Sequence, residues 1–271
     1  MGRTKKAAKN VATGLFNKAA LMLLAFVTKT VFIRLLGAEY NGVSSLYTNI
    51  LSVLALAELG VGNVLMFYLY SALDTGNEEE ICALVYEFKK IYNAIIVCVL
   101  TIGLALVPFL QFLVNSSLNR TELIVYYLLY LANSVASYFV VYRTTVVKAD
   151  QNEYILNNIS TVSTVMMYIL QLGFLCKYRN FLVYLIIQVA CTIFNNLVQN
   201  YIAVKKYPYL KNKTIVKAHL DKRALVGNVK ATFLFKVSDT ILDQTDNIII
   251  SAMIGTVAVG MYSNYYMLIV Y

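Results

Sequence analysis

The chain has no tryptophan and one histidine, and only 14% of its 271 residues are charged. Each shortage excludes something. The histidine, His219, lies in a polar stretch and reads as a solvated loop residue. No Cys-His, Ser-His-Asp or metal-spaced cluster accompanies it, so the usual acid, base and nucleophile sets are missing. The cysteines, Cys82, Cys98, Cys176 and Cys191, lack metal-ligand spacing and sit in or beside apolar runs. They read as buried reduced thiols, and neither a metal nor a cofactor is expected. Strict in-out alternation is absent from the apolar runs, which argues against barrel strands. With tryptophan missing, the aromatic surface falls largely to 22 tyrosines. Tyr126, Tyr127, Tyr130, Tyr138 and Tyr142 crowd one run, where packing between helices is the expected use of most of them and stacking on sugars the alternative.

What the chain has in abundance is apolar length. Its hydrophobic fraction is 59% and its mean hydropathy +0.65. Runs of about 20 residues match helices that cross a hydrocarbon core of about 30 Å. The fold class is therefore all-α, a polytopic membrane protein. Spans are predicted at roughly 11–36, 43–72, 90–114, 123–147, 155–176, 181–204 and 229–254. A further span starts near 257, and the final "YYMLIVY" lacks a polar flank. The chain thus reads as an N-terminal fragment of a longer protein. A segment before the third span, "EEEICALVYEFKK", carries Ile81, Leu84, Val85 and Phe88 at helical spacing and predicts a helix lying at the inner interface.

The net charge of +9 gains meaning from its placement. Arg3, Lys5, Lys6 and Lys9, then Lys89 and Lys90, Arg143 and Lys148, and the run from Lys205 to Arg223 fall on one side of the predicted topology. By the positive-inside rule that side is cytoplasmic, with the N-terminus on it. Nucleic-acid binding is not expected.

Shifting the sequence by 218 residues lays the first predicted span on the seventh. Lys18 falls on Lys236, Gly37 on Gly255, Gly42 on Gly260 and Ser45 on Ser263. An even number of spans separates the copies, so both run the same way through the membrane, as in parallel transporter repeats. This divides the chain into a six-helix lobe at 1–204, a basic linker at 205–228, and the start of a second lobe at 229–271.

Buried charge is the strongest functional signal. In "FLFKVSDTILDQTDNIIIS", at 233–251, Lys236, Asp239, Asp243 and Asp246 fall within about 80° of one another on a helix. Each charge facing lipid at a helix centre costs roughly 2.5 to 3.5 kcal/mol, so this face is expected to look into the bundle or a watery cavity. Neutralisation of Lys236 by Asp239 is the simpler reading, but it leaves the other charges unexplained. Lys18 and Lys29 share a face of the first span, Arg34 reads as a snorkelling anchor, and Glu58 lies near the middle of the second span in "LAELGVGN". Lysines in a cavity suit anionic phosphate. Carboxylates beside them suit coupling to H+ or Na+.

"FIRLLGAEYNGVSSLY", "LAELGVGN" and "DNIIISAMIGTVAVGMYSNYYML" resemble segments of bacterial polysaccharide flippases. These are the O-antigen (lipopolysaccharide) and capsule repeat-unit exporters of the multidrug, oligosaccharidyl-lipid and polysaccharide exporter superfamily. The resemblance implies two six-helix bundles around a central cavity in the cytoplasmic membrane. It implies alternating-access movement of undecaprenyl-diphosphate-linked oligosaccharide, with polysaccharide assembly proteins as partners. It makes Lys18, Lys29 and Lys236 candidates for the diphosphate, and Glu58, Asp239, Asp243 and Asp246 candidates for coupling or gating. A cation-coupled multidrug exporter and a membrane enzyme of glycan assembly stay open as alternatives.

Overall fold

The structure is a computed structural model describing residues 3–55, 58, 61–211, 227–228, 230–232, 246 and 248–270. Its first helix, α1 (Arg3–Leu36), stops at Gly37, whose φ of 101° lies in the left-handed region that a side chain would disfavour. The chain reverses there into α2 (Ala38–Leu54), breaks around Glu58, and continues as α3 (Val61–Asp74). The second span, expected as one helix over 43–72, is therefore two helices. Gly62 lies in the first turn after the break, and glycine is a poor helix former.

Asn77 caps α4 (Glu78–Ala105) by accepting the Glu80 N–H at 3.1 Å, and three glutamates fill its first turn, where the helix dipole favours negative charge. A short α5 (Leu110–Leu113) follows. The structure corrects the expected interfacial helix, because α4 runs unbroken from Glu78. Its Ile81, Leu84 and Phe88 are at most 2% exposed and pack into the bundle.

Next come α6 (Arg120–Tyr138) and α7 (Val141–Ala149), bent by 46°. The hairpin α8 (Glu153–Tyr178) and α9 (Phe181–Lys206) turns at Arg179, which is left-handed, and Asn180, which caps α9. Last is α10 (Thr256–Val270). Among the described residues there is no strand. Three helical segments there are long and apolar enough to cross a membrane, and the bent pair makes a fourth. Leu23, Phe112, Val162 and Leu197 remain exposed, as expected of a face solvated by lipid. The chain is a multi-pass membrane protein.

The core is tyrosine-rich. Tyr47, Tyr127 and Tyr138 are at most 2% exposed, and the Tyr47 ring meets those of Tyr127 and Tyr130 edge-on. Each hydroxyl needs a partner in a low-dielectric interior. Tyr47 and Tyr127 donate to the carbonyls of Leu123 and Gly103, each at 3.0 Å, and the Tyr130 hydroxyl pairs with that of Ser44 at 2.5 Å. The crowded tyrosines of α6 are packing residues.

Candidate functional site

α10 packs against α2 because both offer glycine. A Cβ on Gly42 would overlap the Thr256 carbonyl, and one on Gly260 would come within 2.5 Å of the Ala38 carbonyl. The contact is reciprocal under the 218-residue shift, which carries Ala38 to Thr256 and Gly42 to Gly260. Gly255, the counterpart of Gly37, likewise has positive φ, at 121°.

Beside this crossing the same helices, with α1, α8 and α9, line a cavity of about 290 Å³. Its wall is rich in neutral polar groups, including Asn41, Ser44, Asn49 and Ser263, with Tyr168 and Tyr184 opposite. Lys29 lies in this wall. Its Nζ donates to the Ser263 carbonyl at 3.3 Å and to the Ser263 hydroxyl at 3.5 Å. Asn41 donates to the Gly260 carbonyl at 3.0 Å, tying α2 to α10 at the cavity edge. Lys29 has no carboxylate partner among the described residues. An ammonium taken from water needs compensation, and here it has only dipoles. The arrangement can receive an anion.

At the end of the bundle that carries Gly37, residues 113–117 form a strap. Ser251 donates to the Leu113 carbonyl at 2.7 Å, and the Thr256 N–H and hydroxyl both donate to the Asn115 carbonyl at 3.2 Å. Glu39, at the start of α2, holds the strap from the other side. Its carboxylate accepts from the Ser116 hydroxyl at 2.7 Å and the Ser117 N–H at 2.6 Å. Those donors hold the Glu39 carboxyl below its ordinary range, with the Ser116 hydroxyl the largest cause and partial burial opposing it.

The expected site residues separate. Lys29 lines the cavity. Lys18, although on the same face of α1, is exposed and stands about 16 Å away along the helix. Glu58 sits in the break between α2 and α3. Its N–H donates to the Ala55 carbonyl at 3.0 Å, its own carbonyl accepts from Val61 at 2.9 Å, and its carboxyl lies within electrostatic reach of Lys148. Asp246 is exposed and accepts from the Tyr262 hydroxyl at 3.3 Å. Lys236, Asp239 and Asp243 lie outside the described residues, as does most of the basic linker. Asn41, Ser44 and Asn49 escaped the sequence reading, because neutral polar residues on a helix carry no signal until a facing helix encloses them. Among the described residues no group of acidic, histidine and cysteine side chains is placed to hold a metal ion.

No curated relative matches the chain. One solved structure, described as protein A, superposes with a TM-score of 0.69 over 98% of this chain at 13% identity, which bears on fold alone. The chain spans 60% of the length of that structure. A family model described as polysaccharide biosynthesis protein matches residues 7–271, nearly the whole sequence. With its helical membrane-spanning fold and polar chamber, the chain belongs to the polysaccharide biosynthesis protein family.

Proposed function

We propose that this chain is part of a flippase that moves undecaprenyl-diphosphate-linked oligosaccharide across the bacterial cytoplasmic membrane by alternating access. The N-terminus and the basic linker face the cytoplasm. One observation carries the reading: Lys29 lies in a chamber walled by amides and hydroxyls, without a carboxylate partner among the described residues. A diphosphate supplies the missing anion, and sugar hydroxyls match the neutral wall. A carrier of organic cations would be better served by an acidic chamber. The protein works as a transporter and not as an enzyme.

The reciprocal glycine contact supports two repeat-related lobes that meet at α2 and α10. Residues 1–204 form the first lobe and 229–271 begin the second. Glu58, in a broken span, is the coupling group for H+ or Na+, since interrupted helices free backbone groups for ions. Lys236, Asp239 and Asp243 complete the charge set from the second lobe.

The test follows a fluorescent lipid-diphosphate-linked oligosaccharide between leaflets of proteoliposomes holding the full-length parent protein. Transfer that Lys29→Ala abolishes is expected. Transfer unchanged by Lys29→Ala would remove the phosphate role, and no transfer by folded parent protein would remove the flippase reading.

A further inference from the structure

A second cavity, of about 170 Å³, lies between α8 and α9. It is lined by Ser163, Thr164 and Met167 of α8 and by Gln188, Cys191, Thr192 and Asn195 of α9. Thr164 is one turn along α8 from Tyr168, and Gln188 one turn along α9 from Tyr184; both tyrosines line the Lys29 chamber. Both cavities are thus lined by the same pair of helices, and Thr164 and Gln188 each stand about 6 Å along their helix from a tyrosine of the chamber.

Neighbouring polar groups on these helices are mostly spent. Thr161 bonds back to the Asn157 carbonyl at 2.8 Å, Thr192 donates to Asn133 at 2.7 Å, and Asn196 donates to the Ala136 carbonyl at 2.6 Å. Gln199 donates to Ser160 at 2.8 Å and to Asn195 at 3.3 Å. Gln171 donates to the Tyr184 carbonyl at 3.3 Å. Of the polar groups that line the cavity, Thr192 and Asn195 are among those spent, and three others are not. Ser163 is only 6% exposed, yet its hydroxyl has no partner among the described residues, and neither the Thr164 hydroxyl nor the Gln188 amide has one. The lining carries no charge. Unspent hydroxyls and amides in a membrane span are costly unless water or a ligand meets them. Without charge, they favour a ligand that both donates and accepts hydrogen bonds and is itself neutral.

We infer that this cavity is a subsite for an uncharged sugar residue, read by Ser163, Thr164 and Gln188, one helical turn beyond the chamber where Lys29 meets the diphosphate. The inference rests on the flippase reading and adds where the saccharide is recognised. A cavity of this volume holds part of one pyranose ring and its hydroxyls, not a whole oligosaccharide.

The test measures binding of two lipids to the full-length protein in nanodiscs: undecaprenyl diphosphate, and the same lipid bearing a neutral oligosaccharide. Ser163→Ala with Gln188→Leu is expected to weaken binding of the sugar-bearing lipid about tenfold or more while moving the bare lipid less than about twofold, because a site built to hydrogen-bond a hydroxyl loses discrimination with its polar groups. Lys29→Ala is expected to weaken both. Cys191, buried in the same wall, gives a readout that needs neither substitution. With Cys82, Cys98 and Cys176 replaced by serine, the sugar-bearing lipid should slow its alkylation and the bare lipid should not. A sugar preference unmoved by the double substitution, or alkylation equally fast with either lipid, overturns the subsite alone. Binding of neither lipid by the unaltered protein overturns the flippase reading and the subsite with it.

Discussion

Gly260 lies so close to Gly42 that a Cβ added to Gly260 would stand 3.1 Å from the Gly42 backbone nitrogen. Two helices from opposite ends of the chain approach here as backbones, as small residues permit in membranes. The close approach brings Asn41 to the Gly260 carbonyl and Lys29 to Ser263. Gly42→Val or Gly260→Val should push α2 and α10 apart at a cost of about 1 to 3 kcal/mol. The second substitution should add little once the first has opened the crossing, since the residues share one contact. Thermal unfolding of the full-length protein in detergent checks both statements, and full additivity would count against the shared contact.

Glu39 should make the strap acid-sensitive. Its carboxyl is held below the ordinary range by the Ser116 hydroxyl and by Ser117. Its contribution is complete above the pKa it has when unfolded and is lost as pH falls through the lower, folded value. Tyr40 lies within electrostatic reach of both Glu39 and Glu122. Hydrogen exchange at the Ser117 N–H, corrected for its intrinsic rate, should therefore accelerate on acidification in the unaltered protein. Glu39→Gln should raise exchange at neutral pH and flatten the profile. An acid response that survives Glu39→Gln would show that Glu39 does not carry it.

Sequence periodicity exposed the helical membrane fold because an apolar run of about 20 residues has few other uses. Segments 155–176 and 181–204 fall inside α8 and α9. The break in the second span was hidden, since "LAELGVGN" keeps its apolar character through the interruption. The stripe of Ile81, Leu84, Val85 and Phe88 misled because an amphipathic segment looks alike whether it covers lipid headgroups or a bundle. At the site, Lys29 was legible as a charge in an apolar run. Its walls were not, because they assemble from helices far apart in sequence. The shift pairing Gly42 with Gly260 did carry spatial information, since reciprocal close packing requires glycine on both copies.

The far end of the bundle depends on a tyrosine. Tyr207 donates to Asp150 at 2.8 Å and accepts from Asn152 at 3.2 Å, fastening the turn between α7 and α8 to the end of α9. Tyr207 is 7% exposed and Asn152 2%. Tyr207→Phe removes both of these hydrogen bonds and leaves Asn152 its own bond to Asp150, which should cost about 1 to 3 kcal/mol. A melting temperature unchanged by the substitution would show that the turn is held by other contacts.

Lys18 and Lys29 share a helix face, yet they should behave differently. Lys29 lies in the chamber wall with carbonyl and hydroxyl acceptors, whereas Lys18 is exposed. A hydrogen bond to a charged group contributes about 1.5 to 3 kcal/mol, or roughly tenfold to a hundredfold in affinity. Lys29→Met should therefore weaken binding of undecaprenyl diphosphate to the full-length protein by roughly that factor, while Lys18→Met should leave it within about twofold. Methionine keeps the apolar length of either side chain, so the comparison isolates charge. Inorganic diphosphate should compete with the lipid for the unaltered protein and not for Lys29→Met. Equal losses from the two substitutions would mean that the anion is attracted by the overall charge of α1, and the chamber would lose its claim to be the phosphate site.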